Sequence, residues 1–203
     1  MLLTALLGAA LAAPVVHVDR TGRRVYVLDE QGKITHSEAA GIGRGGLGKK
    51  SSMGDLKTPT GRFVVDLVLA PGASTLAVSD EVHHQDTVLQ AFLNDRSALA
   101  RLWANMDQLD FDGDGAPDHA YGSAYIGLHS PDGSAVTGPK LRRYRGTPYW
   151  YSIALHGTPD PASLGQARSG GCVHLSAGLL QQLVAQGRLA VGAEVVIADG
   201  PPG

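Results

Sequence analysis

Residues 15–33, VVHVDRTGRRVYVLDEQGK, constrain the fold more than any other part of this chain. β-Branched and polar residues alternate before Thr21-Gly22 and again before Gln31-Gly32, the period of two that a half-buried strand requires. The pattern predicts an antiparallel hairpin opening a sheet. Residues 63–69, 121–129 and 190–198 read as further apolar strands, and residues 149–155 form another that leads directly into His156. Two stretches have helical spacing instead. Residues 86–106 place Val88, Leu89, Phe92, Leu93, Leu99, Leu102, Trp103 and Met106 on a helical face and predict one helix or two short ones. Residues 177–186 predict a short helix with Ser176 as N-cap and Gly187 as its stop, and residues 199–203 a loose tail.

The only cysteine, Cys172, follows Ser169-Gly170-Gly171 and stands sixteen residues after His156-Gly157-Thr158. A lone cysteine forms no internal disulfide, so its thiol is either reactive or buried. Thiols attack carbonyls as thiolates, and a nearby imidazole can take the proton. His156 and Cys172 are the pair for that chemistry. Gly170 and Gly171 let the backbone turn sharply, which makes the N–H groups of Gly171 and Cys172 candidates for an oxyanion site. On spacing alone, a small buried cysteine beside a loop histidine is the other reading.

These residues resemble the signature of the L,D-transpeptidase (YkuD-type) family, in which His-Gly-Thr is followed by Ser-x-Gly-Cys and an aliphatic residue. Val173 fits the aliphatic place, and His174 stands where the family usually has Arg or Asn. A second stretch, Gly54-Asp55-Leu56-Lys57-Thr58-Pro59-Thr60-Gly61-Arg62-Phe63, is similar to the Gly-Asp-x-Lys-Thr-Pro-x-Gly-x-Phe of the same domain. The resemblance implies a mainly β fold, a YkuD-like two-sheet β-sandwich with a helical insertion and a short helix after the cysteine. It implies a catalytic domain over 14–199, followed by a tail at 200–203. It also implies cross-link chemistry on peptidoglycan stem peptides. Cys172 is then the nucleophile, His156 the proton acceptor and donor, and Gly171 an oxyanion donor. Gly157, Thr158, Ser169, Gly170, His174, Tyr149 and Trp150 are expected to line the substrate site. Catalysis of this kind needs no cofactor. Acceptors are a second stem, an amine-bearing protein or water, the last giving an L,D-carboxypeptidase. A hydrolase of another amide and a wall-binding module whose motif has drifted are the competing readings.

About 95 residues separate Gly61 from His156, so residues 74–119 are expected to be an insertion forming a lid or wall of the site. His83-His84 lies near its start, and adjacent histidines diverge in most conformations, so no metal site is expected there. Asp110, Asp112, Asp114 and Asp118 reproduce the start of a calcium-binding loop, with Gly115 and Gly113 to turn the chain. The twelfth position is Tyr121, not Glu, which excludes an ordinary EF-hand. A structural Ca2+ that rigidifies the insertion is the expectation.

The remaining features set bounds. A net charge of −2 and a pI near 6.4 argue against nucleic acid as a partner. The cluster Arg142-Arg143-Tyr144-Arg145 reads as a solvated loop. The glycine-rich residues 41–50 lack the Gly-Lys-Ser/Thr ending of a nucleotide loop. Lys49, Lys50 and Lys57 read as solvated, with substrate carboxylates as the alternative. Residues 1–13 are apolar or small and end in Ala10-Leu11-Ala12, which reads as a short secretory signal. No run is long enough to give a stable membrane span. The expected location is the periplasm or cell wall.

Overall fold

The computed structural model describes residues 15–71, 76–80, 87–93, 97–138 and 140–203. The signal expected over residues 1–13 and the His83-His84 pair lie outside the described residues.

The hairpin forms as the alternation requires: β1 (Val16–Asp19) pairs antiparallel with β2 (Arg24–Leu28), and β2 with β3 (Ile34–Ala39). After β4 (Ile42–Gly43) come β5 (Gly61–Leu69) and β6 (Ala77–Val78). Helices α1 (Thr87–Leu93) and α2 (Ala98–Asp107) follow. The chain then returns through β7 (Tyr125–His129), β8 (Lys140–Tyr144), β9 (Thr147–Tyr151) and β10 (Ala154–His156). It ends with β11 (Ala167–Ser169), β12 (Val173–His174), α3 (Ala177–Ala185) and β13 (Glu194–Ala198).

The fold is mainly β, as expected. Its main layer is one curled mixed sheet of nine strands, ordered β12-β10-β7-β5-β13-β1-β2-β3 with β6 on β5. Two small sheets, β11-β4 and β8-β9, flank it. Val16, Val18, Phe63, Val65, Ile126, Leu155, Val195 and Ile197 fill one core, closed by Leu179, Leu180 and Leu183 of α3. Ser176 caps that helix as its sequence predicts, its hydroxyl accepting the Leu179 N–H at 3.2 Å.

Strand β5 serves two cores because it carries a bulge. The register passes from Val65↔Leu128 to Leu67↔Gly127, leaving Asp66 as the extra residue. Phe63 and Val65 therefore face the first core, while Leu67 and Leu69 face a second one with Leu89, Leu102, Met106, Tyr125 and Trp150. Helices α1 and α2 are thereby packed on the sheet. Asp66 is fully buried and paired with Lys140, which ties β8 to the central sheet. Burial pushes its carboxyl upward, with the Lys140 charge opposing.

Three elements differ from the sequence reading. The strand expected over 121–129 begins only at Tyr125, because Gly122, at φ +59°, packs against the backbone of Gly157 and Thr158. The single strand expected over 149–155 is broken at Ser152 and Ile153. The Ser152 N–H and carbonyl bond to the Tyr125 hydroxyl there, and the Ile153 N–H to the Thr137 carbonyl. β9 consequently joins β8 and β10 joins the main sheet. The chain end is pinned where a loose tail was expected: Arg20 forms a two-pronged pair with Asp199, and the Gly200 N–H donates to Asp19.

Candidate active site

Parallel pairing of β10 with β12 builds the site. The register sets Leu155 beside Val173 and His156 beside His174, so the residue after Cys172 is locked to the strand that carries the histidine. The loop before the cysteine closes on Ser169. Its hydroxyl donates to the Cys172 carbonyl at 2.6 Å and accepts the Gly171 N–H at 3.0 Å. Gly171 adopts φ +128°, and a Cβ there would lie 3.0 Å from the Lys57 carbonyl. Glycine is what this close approach permits.

The second motif forms the floor beneath that loop. The Asp55 carboxylate accepts N–H groups from Ser51 and Lys57 at 2.7 and 3.0 Å and pairs with the buried Lys50 ammonium at 3.0 Å. Lys50 also donates to the Lys57 carbonyl at 2.9 Å. Burial raises the Asp55 carboxyl, but these donors outweigh it and hold the group well below the usual carboxylate range. Lys50 is thus a support beneath the Cys172 loop, and neither it nor Lys49 or Lys57 lines the cavity into which Cys172 opens.

That cavity, about 610 Å³, is lined by Cys172, His156, His174, Thr158, Ser169, Gly170, Trp150 and Tyr151, with Phe111 and Asp118 of the insertion on its wall. Tyr149 and Gly157 are not part of the lining. Gly157 works behind it: a Cβ would meet the Ser123 N–H at 2.7 Å. The resulting close approach sets Tyr121 edge-on against His156, with ring centroids 5.2 Å apart, while Tyr125 stacks on the imidazole at 6.0 Å.

His156 donates from Nδ1 to its neighbour's carbonyl, Gly157 O, at 2.6 Å. A carbonyl only accepts, so Nδ1 carries the proton and Nε2 is left unprotonated. Burial and the nearby His174 push the imidazole down to about 3, with the Gly157 bond opposing. Burial likewise pushes the Cys172 thiol up to about 11, against the Ala154 N–H and the Lys50 charge. The resting pair is therefore neutral thiol and neutral imidazole. Sγ donates to the Ser152 carbonyl at 3.5 Å, and no hydrogen bond joins it to His156 among the described residues.

His174 occupies a built niche. Its Nδ1 lies 3.1 Å from Ser163 Oγ, which gives its own proton to the Asp160 carbonyl at 2.7 Å. Ser163 Oγ therefore accepts from His174, whose Nε2 is left unprotonated.

Among the cavity residues that the sequence reading did not single out are two cations. Arg44 and Arg168 both line the cavity, brought together by the parallel pairing of β4 with β11. Their separation of 124 residues hides that pairing in the sequence.

Of the four aspartates in the acidic loop, Asp110, Asp112 and Asp118 bring carboxylate oxygens within 4.8 Å of one another, and Asp114 does not join them. Backbone N–H groups of Gly113, Gly115 and Phe111 donate to Asp110 and Asp118. Arg145 is mostly exposed, as expected of a solvated cluster, and lies 3.5 Å from Asp110.

The sequence model of the YkuD L,D-transpeptidase catalytic domain matches residues 13–197. The chain belongs to the YkuD family. Among solved structures it is similar to the helical cell shape determining protein Pgp2 from Campylobacter jejuni, at 18% identity and a TM-score of 0.50, over 93% of this chain and 48% of that one. It is also similar to Bdellovibrio bacteriovorus Bd1075, at 18% identity and a TM-score of 0.48, over 95% and 50% of the two chains. L,D-transpeptidase 3 from Mycobacterium tuberculosis matches at 15% identity and a TM-score of 0.46, over 92% and 60%. The YkuD chain described here thus spans about half to three fifths of the length of these structures. No curated protein sequence is significantly similar to it. No helix among the described residues of this YkuD domain is long and apolar enough to cross a membrane.

Proposed function

We propose that this YkuD domain is an L,D-transpeptidase acting on peptidoglycan stem peptides in the periplasm or cell wall. One observation carries the reading: Cys172 and His156 open into the same cavity, and the Nδ1 bond to the Gly157 carbonyl leaves Nε2 of the imidazole as a base.

The reaction runs from the neutral pair. Sγ turns from the Ser152 carbonyl to the substrate and attacks the carbonyl carbon of the third stem residue, while Nε2 of His156 takes the thiol proton. The oxyanion is met by the Cys172 N–H; the Gly171 N–H is spent on Ser169 Oγ at 3.0 Å and joins only when that bond opens. Collapse breaks the amide C–N bond. The departing D-alanine nitrogen receives the proton from His156, and a thioester to Cys172 remains. An amine from a second stem or an acceptor protein then attacks the thioester and yields its proton to His156. The C–S bond breaks and His156 returns that proton to Sγ, giving a 3→3 cross-link and the free thiol. Water in place of the amine gives L,D-carboxypeptidase activity. Both partial reactions use the same residues.

We also propose a structural Ca2+ on Asp110, Asp112 and Asp118. Three hard oxygen donors fit the chemistry of that ion, and backbone carbonyls and water would complete its six to eight ligands. Its work would be to hold Phe111 and Asp118 on the cavity wall.

The test of the main reading is mass spectrometry of muropeptides after incubation with disaccharide-tetrapeptide. Cysteine-dependent loss of D-alanine with dimer formation supports transpeptidation, and tripeptide alone supports carboxypeptidation. An unchanged tetrapeptide pool with folded protein sinks both.

A further inference from the structure

We infer that Arg44 and Arg168 form a carboxylate subsite for the acyl donor, an assignment that rests on the proposed stem-peptide chemistry. The place after Val173, usually Arg or Asn in the family, is His174 here, whose ring is committed to Ser163 and lies against His156. The positive charge of the cavity is supplied instead by the small β4–β11 sheet.

That sheet is built to aim both side chains. Ile42 pairs with Ala167 and Gly43 with Ser169, so Arg168 is the extra residue of a bulge, a device that re-aims a side chain. The Arg44 N–H donates to the Ser169 carbonyl at 3.0 Å. Arg44 itself stands between two glycines pressed onto the floor of the site. A Cβ at Gly43 would lie 2.2 Å from the Leu56 carbonyl, and one at Gly45 2.0 Å from the Asp55 carbonyl. The backbone that presents Arg44 is therefore fixed by the same turn that supports Cys172.

The charges on this wall are not matched. Arg44 has no carboxylate partner among the described residues, and its one polar contact is Nη1 to the Arg168 carbonyl at 3.5 Å. Arg168 reaches Asp160 only at 3.9 Å, with both side chains more than half exposed, so solvent screens that pair. Among the described residues the cavity lining holds one acid, Asp118, against these two arginines. Arginine is the side chain suited to planar, two-pronged recognition of carboxylate. A tetrapeptide donor presents a carboxylate at its C-terminus and another on its diamino-acid side chain, and either fits this chemistry.

The test is calorimetric binding of disaccharide-tetrapeptide to the full chain carrying Cys172→Ala, compared with the same chain carrying Arg44→Gln and Arg168→Gln. We expect at least tenfold weaker binding in the double variant. Peptides amidated at the C-terminus or at the side-chain carboxylate identify which group is held: the one whose amidation removes the effect of the arginine changes. Arg44→Lys with Arg168→Lys, which keeps charge but not the fork, should fall between. Binding within twofold of the parent in the double variant overturns the assignment. So does a loss that persists with both amidated peptides, or no binding by the parent. Turnover by the Cys172 protein is read in parallel. Arginine-dependent binding without release of D-alanine would remove the transpeptidase reading and leave the subsite standing.

Discussion

His156 and His174 are register partners on adjacent parallel strands, with ring centroids 4.8 Å apart. Each needs the other uncharged, because two imidazolium ions at that separation in a buried site repel. Replacing His174 with Ala removes the smaller of the two causes that depress His156 and leaves burial in place. The His156 titration should therefore move up from about 3 without returning to 6.5. Ring-proton NMR across pH 2–8 reads it directly. An unchanged midpoint would show that the pair is not electrostatically linked.

The Lys50–Asp55 pair holds the floor of the nucleophile loop, and Lys50 is almost wholly buried. Removing one partner strands a buried charge, at a cost of about 3–5 kcal/mol. Asp55→Ala should lower unfolding stability by about that amount and also loosen the loop, exposing Cys172. Urea melts and iodoacetamide labelling rates test the two effects together. A variant as stable as the parent would mean that Lys50 finds water or another acceptor.

Stability should fall on both sides of neutrality for two separate reasons. Between pH 6.5 and about 3 the unfolded chain protonates His156 and the folded chain does not, so stability drops as pH falls. Between pH 9 and about 11 the unfolded chain ionises Cys172 while the folded chain keeps its proton, so stability drops as pH rises. Each slope is at most about 1.4 kcal/mol per pH unit. His156→Gln should reduce the acid limb, which the half-buried His174 shares, and Cys172→Ala the alkaline one, which Tyr121 and the buried Tyr125 share. Limbs unaltered in these variants would assign them to other groups.

Calcium, if held by Asp110, Asp112 and Asp118, should raise the melting temperature by several degrees, and chelator should reverse the rise. Asp110→Asn with Asp112→Asn should abolish the shift. Identical melting in calcium and in excess chelator removes the metal from the account.

The site was legible where its residues are neighbours in sequence. Thiol chemistry and spacing left Cys172 open between a nucleophile paired with His156 and a small buried residue, and the resemblance to the YkuD signature favoured the first; the hairpin at residues 15–33 follows from its alternation. What escaped depends on contacts between distant segments. The bulge at Asp66 looks like one polar interruption of an apolar run, and only its pairing with β7 shows that it turns β5 from one core to the other. The break at Ser152 and Ile153 needs Tyr125 and Thr137 to exist. Arg44 and Arg168 look like solvated charges until β4 and β11 pair. Tyr149 and Tyr151 are indistinguishable by residue type, yet only Tyr151 lines the cavity.

The most direct measurement is the intact mass of the protein after brief exposure to disaccharide-tetrapeptide without an amine acceptor. The account predicts a covalent adduct of the donor minus D-alanine, on Cys172 by peptide mapping, and none in Cys172→Ala or, within the same time, in His156→Gln. A folded protein that turns over tetrapeptide equally well without Cys172, or never forms the adduct nor releases D-alanine, would contradict it.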